Sequence, residues 1–217
     1  MHLSLSTIVL WAVPVVLAIT LHEAAHGYVA RHFGDHTAES QGRITLNPLA
    51  HIDPVGTILL PGILLLAAKL GGPGFVFGWA KPVPVNFGNL RNPKRDMLWV
   101  AAAGPAANLA MAIGWALALK LSVMQGAMES APIVAMAKAG ISVNLVLMAL
   151  NLLPVPPLDG GRIAVSLLPL RAARAWSRLE PFGFFIIIGL LAFGLLNDVM
   201  EPILRSAEWL LQALLRF

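Results

Sequence analysis

The chain has no cysteine, and only 12% of its residues are charged, against about 25% in soluble domains. Without cysteine there are no disulfides and no thiolate metal sites, so any transition-metal site must be built from His, Asp or Glu. So little charge excludes a disordered chain, a coiled coil and a solvated nucleic-acid binder. Internal repeats, low-complexity tracts and linkers are absent too, which leaves no collagen-like or solenoid reading. What is present is apolar: 58% of the 217 residues are hydrophobic and the mean hydropathy is +0.76. That composition belongs to a polytopic membrane protein.

The apolar residues fall in runs. Residues 3–20 continue as a helical pattern to Arg31, with a bend expected at Pro14. No Lys or Arg precedes this run and no small-x-small cleavage site closes it, so it reads as a retained spanning helix rather than a signal peptide. Residues 35–53 are polar, and the partial alternation of residues 40–47 (SQGRITLN) suggests a short strand. A second run, residues 55–70, is interrupted by Pro61-Gly62 and closed by Gly71-Gly72-Pro73-Gly74. Residues 79–88 (WAKPVPVNFG) read as an extended piece or edge strand. Long spans follow at residues 97–123 and 132–153, the latter ending in a proline-broken exit, NLLPVPPLDGGR, at residues 151–162. A short basic stretch (163–178), a marginal span (182–196) and an amphipathic tail helix (202–217) complete the chain. The expectation is an all-α polytopic bundle of about five to six membrane segments, with short extended or re-entrant pieces. It forms one domain over residues 1–217, its core near 3–168 and its C-terminal helices in 182–217.

The strongest chemical signal is His22-Glu23-Ala24-Ala25-His26. Four residues apart in a helix are about 40° apart in azimuth and roughly 6 Å along the axis, so both imidazoles face one way and can take two corners of a zinc tetrahedron. Glu23, next to them, can hold a proton taken from water at the metal. Ionisable residues inside a spanning helix are rare and usually functional, which weakens the reading of a chance pattern. A third ligand is needed. His32 has the outer spacing of a HExxHxxGxxH pattern, but Val29 stands where a glycine would turn the chain, and in a continuing helix His32 lies about 15 Å from His22. His36 and His51 read as solvated or loop-packing histidines, and His2 is terminal. Asp159 is the better candidate, following a proline break and preceding Gly160-Gly161, which permit close backbone approach. A carboxylate there needs a cation or strong donors, although it could also cap the next helix. Asn151 could donate to a developing oxyanion or make an interhelical hydrogen bond. Asn108 and Asn144 read as structural amides.

HEAAH in the first span, GPAAN at residues 104–108 and NLLPVPPLDGG before Arg162 together resemble the site-2 protease family of intramembrane zinc metalloproteases. GRITLNPLAHIDPVGT (42–57) and GWAKPVPVN (78–86) resemble its short bacterial-type members. The resemblance implies a Zn2+ site on His22, His26 and Asp159, Glu23 as general base and Asn151 as oxyanion donor. It also implies transmembrane protein or peptide substrates, cleaved within or near their membrane segments. Nothing in the length suggests a PDZ or CBS module. A catalytically silent zinc-binding scaffold and a metal transporter are the alternatives, but the middles of the later spans are too apolar for a transporter, and neither explains Glu23.

Bringing Asp159 to His22 and His26 requires the first span and the span at 132–153 to run in the same direction, with 97–123 opposed. Ten of the fifteen Lys and Arg lie in residues 31–53, 81–96 and 162–178. By the positive-inside bias the active-site end faces the cytoplasm of an integral membrane protein, expected in a bacterial plasma membrane, with anionic headgroups rather than nucleic acid as its charged surroundings. The run 55–70 is then a re-entrant or hairpin element, or pairs with the segment after Gly74. Single cysteines placed at Ser40 and Asn89 should be alkylated from the same face of the membrane, and labelling from opposite faces would sink this topology.

Overall fold

In lipid a backbone group left unpaired costs several kcal/mol, so the long apolar runs close their hydrogen bonds within themselves, as helices. The computed structural model describes residues 5–69 and 78–215. In chain order its helices are α1 (Leu5–His32), α2 (Thr37–Ser40), α3 (Leu60–Lys69), α4 (Pro93–Met124), α5 (Pro132–Asn151), α6 (Asp159–Leu167), α7 (Leu170–Ser177), α8 (Gly183–Ala192) and α9 (Leu195–Leu215). His2, the Gly71–Gly74 turn and the last two residues of the tail lie outside the described residues. Among the described residues four stretches are long and apolar enough to cross a membrane, Val9–His32, Pro93–Met124, Pro132–Asn151 and Leu170–Ala192, with a shorter apolar helix at Pro54–Ala67. The outward side chains of α1, among them Trp11, Val13 and Leu17, are large, apolar and exposed, as a lipid-facing surface requires.

Contacts fix the helix directions. Going along α1 from Ala18 to His26, the partners on α4 go backwards from Asn108 to Val100. A methyl group on Gly140 of α5 would lie 2.4 Å from the Trp115 ring, while Asn144 meets Asn108. α4 is therefore antiparallel to both α1 and α5, and those two are parallel. Close approach rests on small residues at the crossings, as membrane helices without a hydrophobic driving force between them need. α9 returns along the outside: Met200 packs on Ala149 and Leu153, and Ala207, Leu211 and Leu215 join Ala112, Ala116, Leu145 and Met148.

Three elements differ from expectation. Neither extended segment makes a strand among the described residues. Pro82 and Pro84 remove alternate donors from residues 79–86, and the remaining N–H groups turn elsewhere: Trp79 to Gly56 O (3.1 Å) and Lys81 to His51 O (2.9 Å). Arg43 donates to Lys81 O (3.0 Å) and Pro82 O (3.2 Å), a side chain standing where a ladder would be. Pro61 does not break its helix. A π-helical turn at Pro54–Leu59 precedes α3, and the wider turn absorbs the clash of the Pro61 ring with the preceding carbonyls. The marginal span is shorter than expected, because Gly194 at φ +72° terminates α8 after ten residues. That is about 15 Å, half a hydrocarbon core. The tail helix then begins at Leu195 and runs through Pro202.

At the foot of α1, Asp35 is buried and ties the chain reversal together. Its carboxylate accepts from the Thr37 N–H (3.1 Å) and hydroxyl (2.5 Å), the Asn86 N–H (2.7 Å) and the Asn89 amide (3.1 Å). Burial alone would raise its pKa, but the Thr37 hydroxyl, the Asn86 N–H and the Asn89 amide outweigh this and hold it below the ordinary carboxylate value. A depressed folded-state pKa means stability that is present above the unfolded carboxylate value of about 3.9 and lost as pH falls through the folded value. Asp35→Asn should lower stability at neutral pH by about 1–3 kcal/mol and flatten the acid limb of a detergent melting series. An unchanged acid limb would remove Asp35 from that role.

Candidate metal centre

His22 and His26 lie one turn apart on the same side of α1, both buried, with ring centroids 4.7 Å apart. Asp159 is the first residue of α6 and also buried. It reaches them because Gly160 and Gly161 have no side chain. A Cβ on Gly160 would sit 2.2 Å from Leu152 O, and one on Gly161 would sit 2.3 Å from Pro156 N, so α6 begins pressed against the backbone of its own approach loop. On the far side the imidazoles fill the space that Gly104 leaves open. A Cβ there would lie 2.5 Å from both His22 Cε1 and His26 Nε2.

The protons on both rings are set from outside. Asn108 gives its Nδ2 to Asn144 Oδ1 (3.0 Å) and Ala18 O (3.3 Å), which leaves its Oδ1 to accept from His22 Nδ1 at 2.6 Å. His26 Nδ1 donates to the Val100 carbonyl at 2.7 Å. In neutral imidazoles both Nε2 atoms then carry lone pairs. They lie 3.1 Å from each other and 3.3 Å each from Asp159 Oδ2, a buried oxygen with no hydrogen-bond partner. Three electron-pair donors facing one another repel unless a cation sits among them. One atom from each residue lies within 4.8 Å of the others, and two imidazoles with one carboxylate are a donor set that suits zinc.

Glu23 points to a neighbouring side of α1, where its Oε2 accepts the Val83 N–H at 2.7 Å. Ile44 and Val83 both lie over Gly27, whose Cβ would come within 2.9 and 3.2 Å of their side chains. The two extended pieces are thus held against the helix that carries the histidines. Asn151 is placed at the end of α5, its amide donating to Leu147 O at 3.0 Å, and it does not join the His22, His26 and Asp159 group. His32 ends the uninterrupted α1 and lies exposed against Phe33, while His36 bonds Glu39 at 2.6 Å. His51 is a buried loop histidine on Thr45 O at 3.0 Å. Asn108 is more than the structural amide the sequence suggested, since it also sets the tautomer of His22. Its four-residue spacing from Gly104, which puts both on one side of α4, was the available signal.

The model of peptidase family M50 matches residues 116–193. The chain is 38% identical over 200 residues to YwhC of Bacillus subtilis (strain 168), covering 90% of this chain and 86% of that protein. It belongs to peptidase family M50, the site-2 proteases. It is also 35% identical over 187 residues to Rip2 of Mycolicibacterium smegmatis, covering 84% of this chain and 66% of that one. Both relatives are provisionally named as zinc metalloproteases. No solved structure matches the chain. Membership in family M50 agrees with an all-α membrane fold and a buried donor set fit for a metal.

Gly104→Ala should leave the helices assembled but push the two imidazoles apart, lowering bound zinc in the purified protein by at least tenfold. Full zinc occupancy in that variant would show that the close approach is not needed.

Proposed function

We propose that the chain is an intramembrane zinc metalloprotease, with residues 1–217 acting as one membrane-embedded unit. The observation that supports this best is the convergence of His22 Nε2, His26 Nε2 and the unpartnered Asp159 Oδ2 beside a carboxylate, Glu23, that is not part of the donor group. Zinc bound by these three residues supplies Lewis acidity, enough to make water a nucleophile near neutral pH.

The protein's own residues do the rest. Asn108 and Val100 keep both Nε2 lone pairs aimed inward. Glu23 takes the proton from the attacking water as oxygen bonds to the peptide carbonyl carbon. It then delivers that proton to the amide nitrogen as the C–N bond breaks. Its rotamer is set by the Val83 N–H. Asn151, released from Leu147 O, donates its amide to the developing oxyanion. A substrate helix hides its carbonyls in hydrogen bonds and must unwind first. The extended residues beside Glu23 are the segment against which the unwound strand pairs. The basic loops support a cytoplasmic orientation of this end in a bacterial plasma membrane.

The test pairs zinc content with cleavage of a transmembrane peptide in detergent. Wild type and Glu23→Gln should both hold one zinc, with cleavage lost by at least roughly a thousandfold in the variant. Asn151→Ala should keep zinc and lose on the order of a hundredfold. Zinc binding without cleavage by wild type across a broad peptide panel would favour the silent scaffold, and no zinc in either protein would remove the site.

A further inference from the structure

α7 carries Arg171 and Arg174, and Arg178 caps its end. The spacing of three and then four puts all three within about 60° of arc on the helix. All three are exposed, and no hydrogen bond or ion pair holds their side chains among the described residues. The opposite side of α7 faces the protein: Ala173 is buried, and the Trp176 indole N–H donates to the Pro154 carbonyl at 3.0 Å. Pro154 lies in the loop that sets Asp159. A second contact lands on the same loop, because Gly183, at the start of α8, sits so close to Pro156 that a Cβ would be 1.7 Å from its carbonyl oxygen. Both ends of the α7–α8 connection therefore clamp the segment that presents Asp159.

We infer that the Arg171, Arg174 and Arg178 stripe binds anionic phospholipid headgroups and, through Trp176 and Pro154, holds the Asp159 loop in its working position. The inference rests on the metalloprotease reading of the site. Three observations favour lipid as the occupant. The stripe is a set of unpaired guanidinium groups, whose fork geometry suits phosphate oxygens. α7 is followed, after a short 3-10 turn at Glu180–Phe182, by the apolar α8, so the arginines stand just before an apolar helix, where headgroups meet hydrocarbon. Leu167, Leu170 and Phe182 flank them, exposed at 67%, 58% and 59%, and can seat in the acyl boundary as the arginines reach phosphate. Lys94 is committed to Leu168 O (2.6 Å) and Arg162 lies 5.1 Å over the Phe87 ring, so these neighbours brace the fold instead of adding to the stripe.

A ligand shifts a conformational equilibrium only by its differential affinity for the two states. Here the difference is geometric. With Trp176 on Pro154 the arginines share one outward side and can meet the headgroup plane together. If α7 undocks and turns, the stripe leaves that plane. Each arginine near an anionic surface contributes about a fivefold preference, hence roughly a hundredfold for three, screened by salt.

The test uses the full chain, delipidated and returned to nanodiscs of phosphatidylcholine with or without phosphatidylglycerol. Three quantities are followed: phosphatidylglycerol retained, by native mass spectrometry; zinc content; and cleavage of a transmembrane peptide. Wild type should retain phosphatidylglycerol in a salt-sensitive way and cleave at least threefold faster with it. The triple variant Arg171→Gln, Arg174→Gln, Arg178→Gln should lose both the retention and the acceleration while keeping zinc and its rate in phosphatidylcholine. The triple Lys variant should restore most of the retention. Trp176→Phe should retain lipid but lose the acceleration. Retention that persists in the Gln variant overturns the lipid site, and full acceleration in Trp176→Phe overturns the coupling. Acceleration by inorganic phosphate in phosphatidylcholine discs also overturns it, by showing a site for free anions. If wild type cleaves nothing in any disc, the protease reading fails while the retention measurement still decides the stripe.

Discussion

Three lone pairs brought together in a buried space repel one another, and much of this fold is the apparatus that holds them there. His22 and His26 are aligned by one turn of α1, but alignment alone leaves each ring free to choose its tautomer. Asn108 and the Val100 carbonyl remove that freedom from α4. Gly104 makes room for the rings, and Gly160-Gly161 let the third donor come in from another helix. The parallel course of α1 and α5 follows from the same demand, since only that arrangement brings the end of α5 and the later turns of α1 to one level.

A second constraint acts where the chain is not helical. Irregular backbone near a membrane must find partners for its N–H and C=O groups, and here those partners are mostly not other strands. Asp35 gathers two backbone donors, an amide and a hydroxyl; Arg43 serves two carbonyls; Glu23 takes the Val83 N–H. The polar loops are therefore joined to α1 by side chains, and Glu23, proposed as the general base, is one of the fastenings.

The His22, His26 and Asp159 grouping was legible because helical spacing and the rarity of ionisable groups in apolar runs are local facts. The HEAAH segment and the Asp159-Gly160-Gly161 turn each state their chemistry within a few residues. Extended segments at residues 40–47 and 79–86 were legible as non-helical, but not as unpaired, because pairing is decided by where other donors and acceptors fall in space. Asn108 was visible as a polar residue in a span, yet its work on the His22 tautomer depends on Asn144 occupying its other end. The boundary between α8 and α9 was misjudged for a simpler reason. Residues 182–196 are apolar enough to read as one run, while Gly194 ends the helix through a backbone angle that composition does not report.

The contact between Glu23 and Val83 has a genetic side. Its donor is a main-chain amide, so every residue type at position 83 except proline supplies the same hydrogen. The hydrogen itself is then indifferent to side-chain identity, while the buried Val83 side chain, packed over Gly27, fixes where that amide sits. That indifference ends abruptly at one substitution, and Pro82 and Pro84 on either side show how near the sequence already stands to it.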